Sequence, residues 1–126
     1  MPKTTEVKKI LVVDDEESVR ELVKICLEKG GKGHEVTLAC NAPEALEILQ
    51  KDKDFDLFDL IITDCRMPGL SGNDLIQTVQ SKNPKQSFLM MSGTLPENRI
   101  VPSIEKPFTV QKLFLAVSSA LSFPAK

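Results

Sequence analysis

Asp14 and Asp15, the lone Asp64, the hydroxyl of Ser92 and the ammonium of Lys106 are the residues whose types and spacing could do chemistry. Each stands where a short apolar run stops. Ile10, Leu11, Val12 and Val13 precede the acidic pair; Leu60, Ile61 and Ile62 precede Asp64; Phe88, Leu89, Met90 and Met91 precede Ser92. A weaker run at Ile104 precedes Lys106. If these runs are parallel strands of one sheet, the polar groups meet at its carboxyl edge, where open α/β sheets bind ligands. Three carboxylates in one crevice repel by roughly 4 kcal/mol for a pair about 4 Å apart at an effective dielectric of 20. A divalent cation would relieve that repulsion, and the hydroxyl and ammonium suit a phosphate.

The intervening segments have the periodicity needed to hold those strands. Val19, Leu22, Val23 and Cys26 recur at helical spacing, and Gly30-Gly31 supplies a stop. Residues 34–40 read as a second strand, polar enough for a sheet edge. Asn41 then caps a second helix, with Glu44 completing a capping box and Ala42, Ala45, Leu46 and Leu49 as its buried stripe. Residues 57–63 make the third strand, and Met67-Pro68-Gly69 a turn. Gly72, Leu75, Ile76 and Val79 mark a third helix that stops before Asn83-Pro84. Thr109 caps a final helix whose stripe is Val110, Leu113, Phe114, Val117 and Leu121.

This alternation predicts an α/β fold, a doubly wound five-stranded parallel sheet with helices on both faces and right-handed crossovers. One interval breaks the rhythm. Pro96 and Pro102 leave little chain between Ser92 and Lys106 for both a crossover and a fifth strand. A full crossover takes at least about 10–12 residues, so the fourth helix is expected to be truncated or absent. Residues 9–122 are expected to form one domain, with tails at 1–8 and 123–126.

Composition narrows the function classes. At 126 residues and 41% hydrophobic, the chain can build a core without disulfides or a structural metal. A net charge of −2 gives no electrostatic reason to expect nucleic acid or an anionic membrane as partner. Cys26, Cys40 and Cys65 form no CxxC pair and are odd in number, which points to a reduced, cytoplasmic compartment. The first nine residues lack the apolar centre of a signal peptide. No apolar run approaches the ~18 residues of a membrane span.

Val12-Val13-Asp14-Asp15-Glu16, the stretch from Ile62 through Asp64 to Gly69, Met91-Ser92-Gly93 and Glu105-Lys106-Pro107-Phe108 together resemble the receiver domain of two-component response regulators. The resemblance covers about residues 8–122. Any one motif is weak; all four in order are specific. It implies a flavodoxin-like sheet and a phosphoacceptor rather than an enzyme, one that promotes its own phosphorylation and dephosphorylation. Asp64 would take a phosphoryl group from a sensor histidine kinase or a phosphotransfer protein, since an ionised carboxylate attacks phosphorus without a base. Asp15 and Asp64 would ligate Mg²⁺, or Mn²⁺ in its place, with Asp14 reaching it through water and the main-chain carbonyl of Arg66 adding a ligand. Ser92 and Lys106 would contact phosphoryl oxygens, the lysine as a point charge. By the same resemblance the Lys106-Pro107 bond is cis.

The departures are as informative. Three residues before the lysine the family usually carries Tyr or Phe as a switch; here that position is Ser103. Arg66 brings a cation to the mouth of the site, either screening a phosphoryl group or sitting in solvent. The missing aromatic and short fourth crossover predict a monomer, with signal read from the loop after Ser92 or from the first helix, and no nucleic-acid or membrane partner. With the chain ending soon after the last helix, no output module is expected within it. Blander readings compete. Asp14-Asp15 would also cap a helix, Asp64 would serve as a turn acid, His34 reads as an exposed turn residue, and Cys65 as a small buried filler. Two other classes stay open: a pseudo-receiver scaffold, and an aspartyl-nucleophile phosphatase. The phosphatase would want an acid where Arg66 stands, and a cap region.

Overall fold

The computed structural model describes residues 7–30, 33–53, 55, 57–67, 69–93 and 101–122. Its elements are β1 (Lys9–Val13), α1 (Glu17–Lys29), β2 (Glu35–Ala39), α2 (Ala42–Leu49), β3 (Leu60–Asp64), α3 (Gly72–Lys82), β4 (Ser87–Ser92), β5 (Ser103–Glu105) and α4 (Val110–Ser122). The strands form one sheet in the order β2-β1-β3-β4-β5, every pairing parallel. The order reverses at β1 and β3, the crevice where doubly wound sheets bind ligands.

Alternation explains why the sheet is covered on both sides. In β1, Ile10 and Val12 face one helical layer and Leu11 and Val13 the other, all fully buried. A continuous apolar run is what a central parallel strand requires. Val23 and Leu27 of α1 close the first layer with Leu113 and Val117 of α4. Ala45 and Leu49 of α2 close the second with Leu75, Ile76 and Val79 of α3. β2 lies at the sheet edge, as its polarity predicted.

Caps set where the helices begin. Asn41 accepts the Glu44 N–H at 2.8 Å, while the Glu44 carboxylate accepts from Cys40 N–H at 2.6 Å. Thr109 accepts the Lys112 N–H at 3.1 Å. At α3 the cap is Ser71 paired reciprocally with Asp74, a box the sequence reading overlooked.

Three details correct the sequence reading. Leu22, placed in the apolar repeat of the first helix, and Val110, placed in the stripe of the last, are each 47% exposed. The buried positions go instead to Val23 and Leu27 in the first of these helices, and to Leu113, Val117 and Ala120 in the last. His34 is half-buried rather than exposed. Its Nδ1 accepts the Lys8 N–H at 3.1 Å and its own N–H donates to the Leu27 carbonyl, because here the chain must enter the edge strand beside β1. The expected short fourth helix falls on residues 94–100, outside the described residues, as do positions 1–6 and 123–126 of the two tails.

Candidate functional site

The register places the acids. Val13 of β1 pairs with Thr63 of β3, so Asp14 and Asp64 leave the sheet side by side. Asp64 pairs with Met91 of β4, and Ser92 with Glu105 of β5, which brings Ser92 and Lys106 to the same edge. The Lys106 N–H donates to the Ser92 carbonyl at 2.7 Å, and the Lys106-Pro107 bond is cis, as the resemblance implied.

Asp14 is fully buried and spends both carboxylate oxygens. One accepts the Glu16 N–H at 2.8 Å, turning the chain toward α1; the other accepts from Lys106 Nζ at 2.9 Å. The capping reading of the acidic pair is thus realised in part, since Asp14 closes the turn while Glu16 occupies the N-cap. Asp15 is exposed. Asp64 is 8% exposed, and its neighbour Cys65, half-buried, donates its N–H to the Met91 carbonyl. Carboxylate oxygens of Asp14, Asp15 and Asp64 all lie within 4.8 Å of one another.

A cleft of about 290 Å³ opens at Asp64, lined also by Glu16, Arg66, Ser92, Gly93 and Lys106. Lys106 Nζ reaches across it, 3.5 Å from Asp64 Oδ1 and 3.7 Å from Glu16 Oε1. Burial pushes the Asp64 carboxyl above its ordinary value and the Asp14 charge adds to the push; Lys106 and a backbone hydrogen bond from Arg66 oppose it without cancelling it. Burial alone would lower the Lys106 ammonium, but the Asp14 hydrogen bond and the charges of Asp14, Asp64 and Glu16 outweigh it and hold the value up. Among the described residues, Lys106 and Arg66 stand against the carboxylates of Asp14, Asp15, Glu16 and Asp64, which leaves the crevice short of positive charge. All-oxygen donors around that deficit are the donor set a hard divalent cation takes, so these residues fit Mg²⁺.

Asp14, Asp15, Asp64, Arg66, Ser92 and Lys106 all reach this edge; Ser103 does not. It lies in β5, half-buried, its hydroxyl donating to the Val101 carbonyl at 3.2 Å. Three contributors escaped the sequence reading. Glu16 supplies a further carboxylate to Lys106; its position beside Asp15 was the available signal. Gly72, read only as a helix marker, holds α3 against the acid: a Cβ there would lie 2.3 Å from the Asp64 carbonyl oxygen. Arg20 donates to the Asp14 carbonyl at 2.7 Å, and nothing in the helical period announces it.

Comparison with known proteins converges on one family. The family model of the response regulator receiver domain matches residues 10–118. The chain is 39% identical over 86 residues to the response regulator protein PilR of Pseudomonas aeruginosa, covering 68% of this chain and 18% of that protein. It is 31% identical over 122 residues to the alkaline phosphatase synthesis transcriptional regulatory protein PhoP of Bacillus subtilis, covering 90% and 48%. The chain spans about half or less of the length of the curated relatives it matches. Among solved structures it is similar to the chemotaxis response regulator CheY4 of Vibrio cholerae, with TM-score 0.79 and 30% identity over 90% of this chain and 98% of that one. It is also similar to the receiver domain of the hybrid histidine kinase CckA, with TM-score 0.75 and 29% identity over 90% and 98%.

Proposed function

Because the chain belongs to the response regulator receiver domain family of two-component systems, we propose that Asp64 is its phosphoacceptor. The working unit is residues 9–122. The observation that carries the reading is Lys106 Nζ poised over the cleft, 2.9 Å from Asp14 and 3.5 Å from Asp64. An ammonium so placed can follow charge from carboxylate to phosphoryl group with little movement.

Asp14, Asp15, Asp64 and the main-chain carbonyl of Arg66 would hold Mg²⁺, or Mn²⁺ in its place. When bound, the cation offsets charge on the carboxylates and on the transferring phosphoryl oxygens. An Asp64 carboxylate oxygen forms the new bond to phosphorus as the bond to the donor's histidine nitrogen breaks, and the nitrogen keeps that electron pair. Lys106 pairs with one phosphoryl oxygen and the Ser92 hydroxyl donates to another. Burial and the Asp14 charge raise the cost of ionising Asp64 in the bare site, so a bound cation and the ionised nucleophile favour one another. The donor is a sensor histidine kinase or a phosphotransfer protein in the cytoplasm. The chain acts as a monomer without nucleic-acid or membrane partners of its own, and promotes both gain and loss of the phosphoryl group.

Incubation with acetyl phosphate tests this, with label quantified per chain. The expected result is up to one equivalent of label, lost in Asp64→Asn and lost in EDTA. No labelling would favour the scaffold reading, sustained turnover the phosphatase, and undiminished labelling of Asp64→Asn would remove Asp64 from its role. Sedimentation with and without beryllofluoride is expected to show a monomer in both states; a mimic-dependent dimer would overturn that part.

A further inference from the structure

Asp14 sits one residue past the β1 ladder, whose last pairs are Val13 with Ala39 and Val13 with Thr63. Its N–H still reaches the Ala39 carbonyl at 3.2 Å. Its own carbonyl lies beyond the ladder, on a fully buried residue, and accepts from the Arg20 guanidinium at 2.7 Å. A buried carbonyl at a strand end needs a donor, and a charged one forms the stronger bond. That the donor is an arginine side chain on α1 is the feature to explain.

We infer that Arg20 is a positioning residue for the metal-binding acids, its grip on the Asp14 carbonyl setting the direction of the Asp15 carboxylate. The Asp14 C=O and the Asp15 N–H belong to one planar peptide unit. Fixing the oxygen fixes that plane, and with it the Cα–Cβ direction of Asp15. Asp15 is exposed, so packing does not aim it; the backbone must. The same peptide is clamped on both sides, by Ala39 before it and by the Asp14 carboxylate on Glu16 N–H after it. The Arg20 charge is also felt at the β2–α2 junction. The Glu44 carboxyl is held below its ordinary value by hydrogen bonds from Cys40 first, and the Arg20 charge contributes too.

This inference rests on the metal-dependent reading above, and its test separates the two. A guanidinium that acted only through its charge would repel an incoming cation, so removing it would tighten Mg²⁺ binding. A guanidinium that positions the acids does the opposite. The full chain has no tryptophan or tyrosine, so Mg²⁺ alone is titrated by calorimetry into the wild type, Arg20→Met and Arg20→Lys. Amide hydrogen exchange at Asp15 and Glu16 is followed in parallel without metal. Arg20→Met should weaken Mg²⁺ by about 10-fold, the lower end of what loss of an outer-shell partner costs. Its Asp15 and Glu16 amides should exchange faster. Arg20→Lys should be weakened as well, since it keeps the charge and loses the planar fork. Lys24→Met, which removes a charge from the same helix away from the turn, should leave the affinity unchanged. Unchanged or tighter binding by Arg20→Met overturns the inference while leaving the proposed function standing. If that variant does not fold, Arg20→Lys decides by the same criterion. A wild type that fails to bind Mg²⁺ overturns the proposed function, and this inference with it.

Discussion

The acid-bearing centre of the sheet and its β4–β5 flank are built to different standards. At the centre, Asp14 has its N–H, its carbonyl and both carboxylate oxygens engaged, by Ala39, Arg20, Glu16 and Lys106. The flank is a three-residue strand, β5, in which Ser103 stands where the family carries a switching aromatic and makes one hydrogen bond to Val101. Rigid placement suits groups that must meet a metal and a phosphoryl group within tenths of an ångström. A short strand at the sheet edge suits a surface that can rearrange. The difference teaches that, on the proposed function, chemistry and readout are separable here: the acids, hydroxyl and lysine meet at one edge, while Ser103 stands apart in β5.

The sharpest way to break the central half is to remove its cation. Lys106→Met leaves the buried Asp14 carboxylate without its ammonium. Breaking one side of a buried pair costs about 3 kcal/mol, so that loss is expected in denaturant unfolding at pH 7 without metal. Mg²⁺ should restore part of it. A loss no larger than that of an exposed lysine would mean that the centre is not electrostatically tensioned.

A steric test comes next. Gly72 lies so near the Asp64 carbonyl that a Cβ at 2.3 Å cannot be accommodated without moving α3 or the β3 end. Gly72→Ala should destabilise by about 2 kcal/mol, in the range of forced overpacking, although alanine favours helices. It should also lower the rate of Asp64 labelling, because the acid's own peptide moves. An alanine variant more stable than wild type would show that the approach is slack.

A smaller effect, of opposite sign, follows from Asp64. Its folded-state value is raised, burial first and the Asp14 charge second. A carboxyl that holds its proton more tightly when folded loses stability as pH rises from the unfolded value through the folded one. Asp64→Asn removes that loss. In EDTA at pH 7 the variant should melt above the wild type, and its advantage should shrink as pH falls through the Asp64 titration. An advantage that grew on acidification would reverse the assigned sign.

The least expected change is in the flank. Ser103→Ala deletes one half-buried hydroxyl contact and should cost about 0.5 kcal/mol, with labelling by acetyl phosphate unaltered. A large drop in labelling would join the two regions that the comparison separates.

Much of this architecture was already in the order of residues. Apolar runs of strand length that each stop at a polar group, with helix caps at Asn41 and Thr109 between them, leave little choice but a parallel sheet with its chemistry at one edge. That is why Asp14, Asp15, Asp64, Ser92 and Lys106 could be named before any coordinates: local periodicity and strand termination are properties of neighbouring residues. The sequence could not say that Leu22 and Val110 face water, that Gly72 abuts the Asp64 carbonyl, or that Arg20 holds the turn of the acids. Nor could it rank the charges around Lys106, where Asp14 stands nearest, then Asp64, then Glu16. Those facts depend on distances between segments far apart in the chain, fixed by sheet register and helix docking. Only the folded chain brings them together, because burial and proximity, which set both carboxylate basicity and close approach, have no local code.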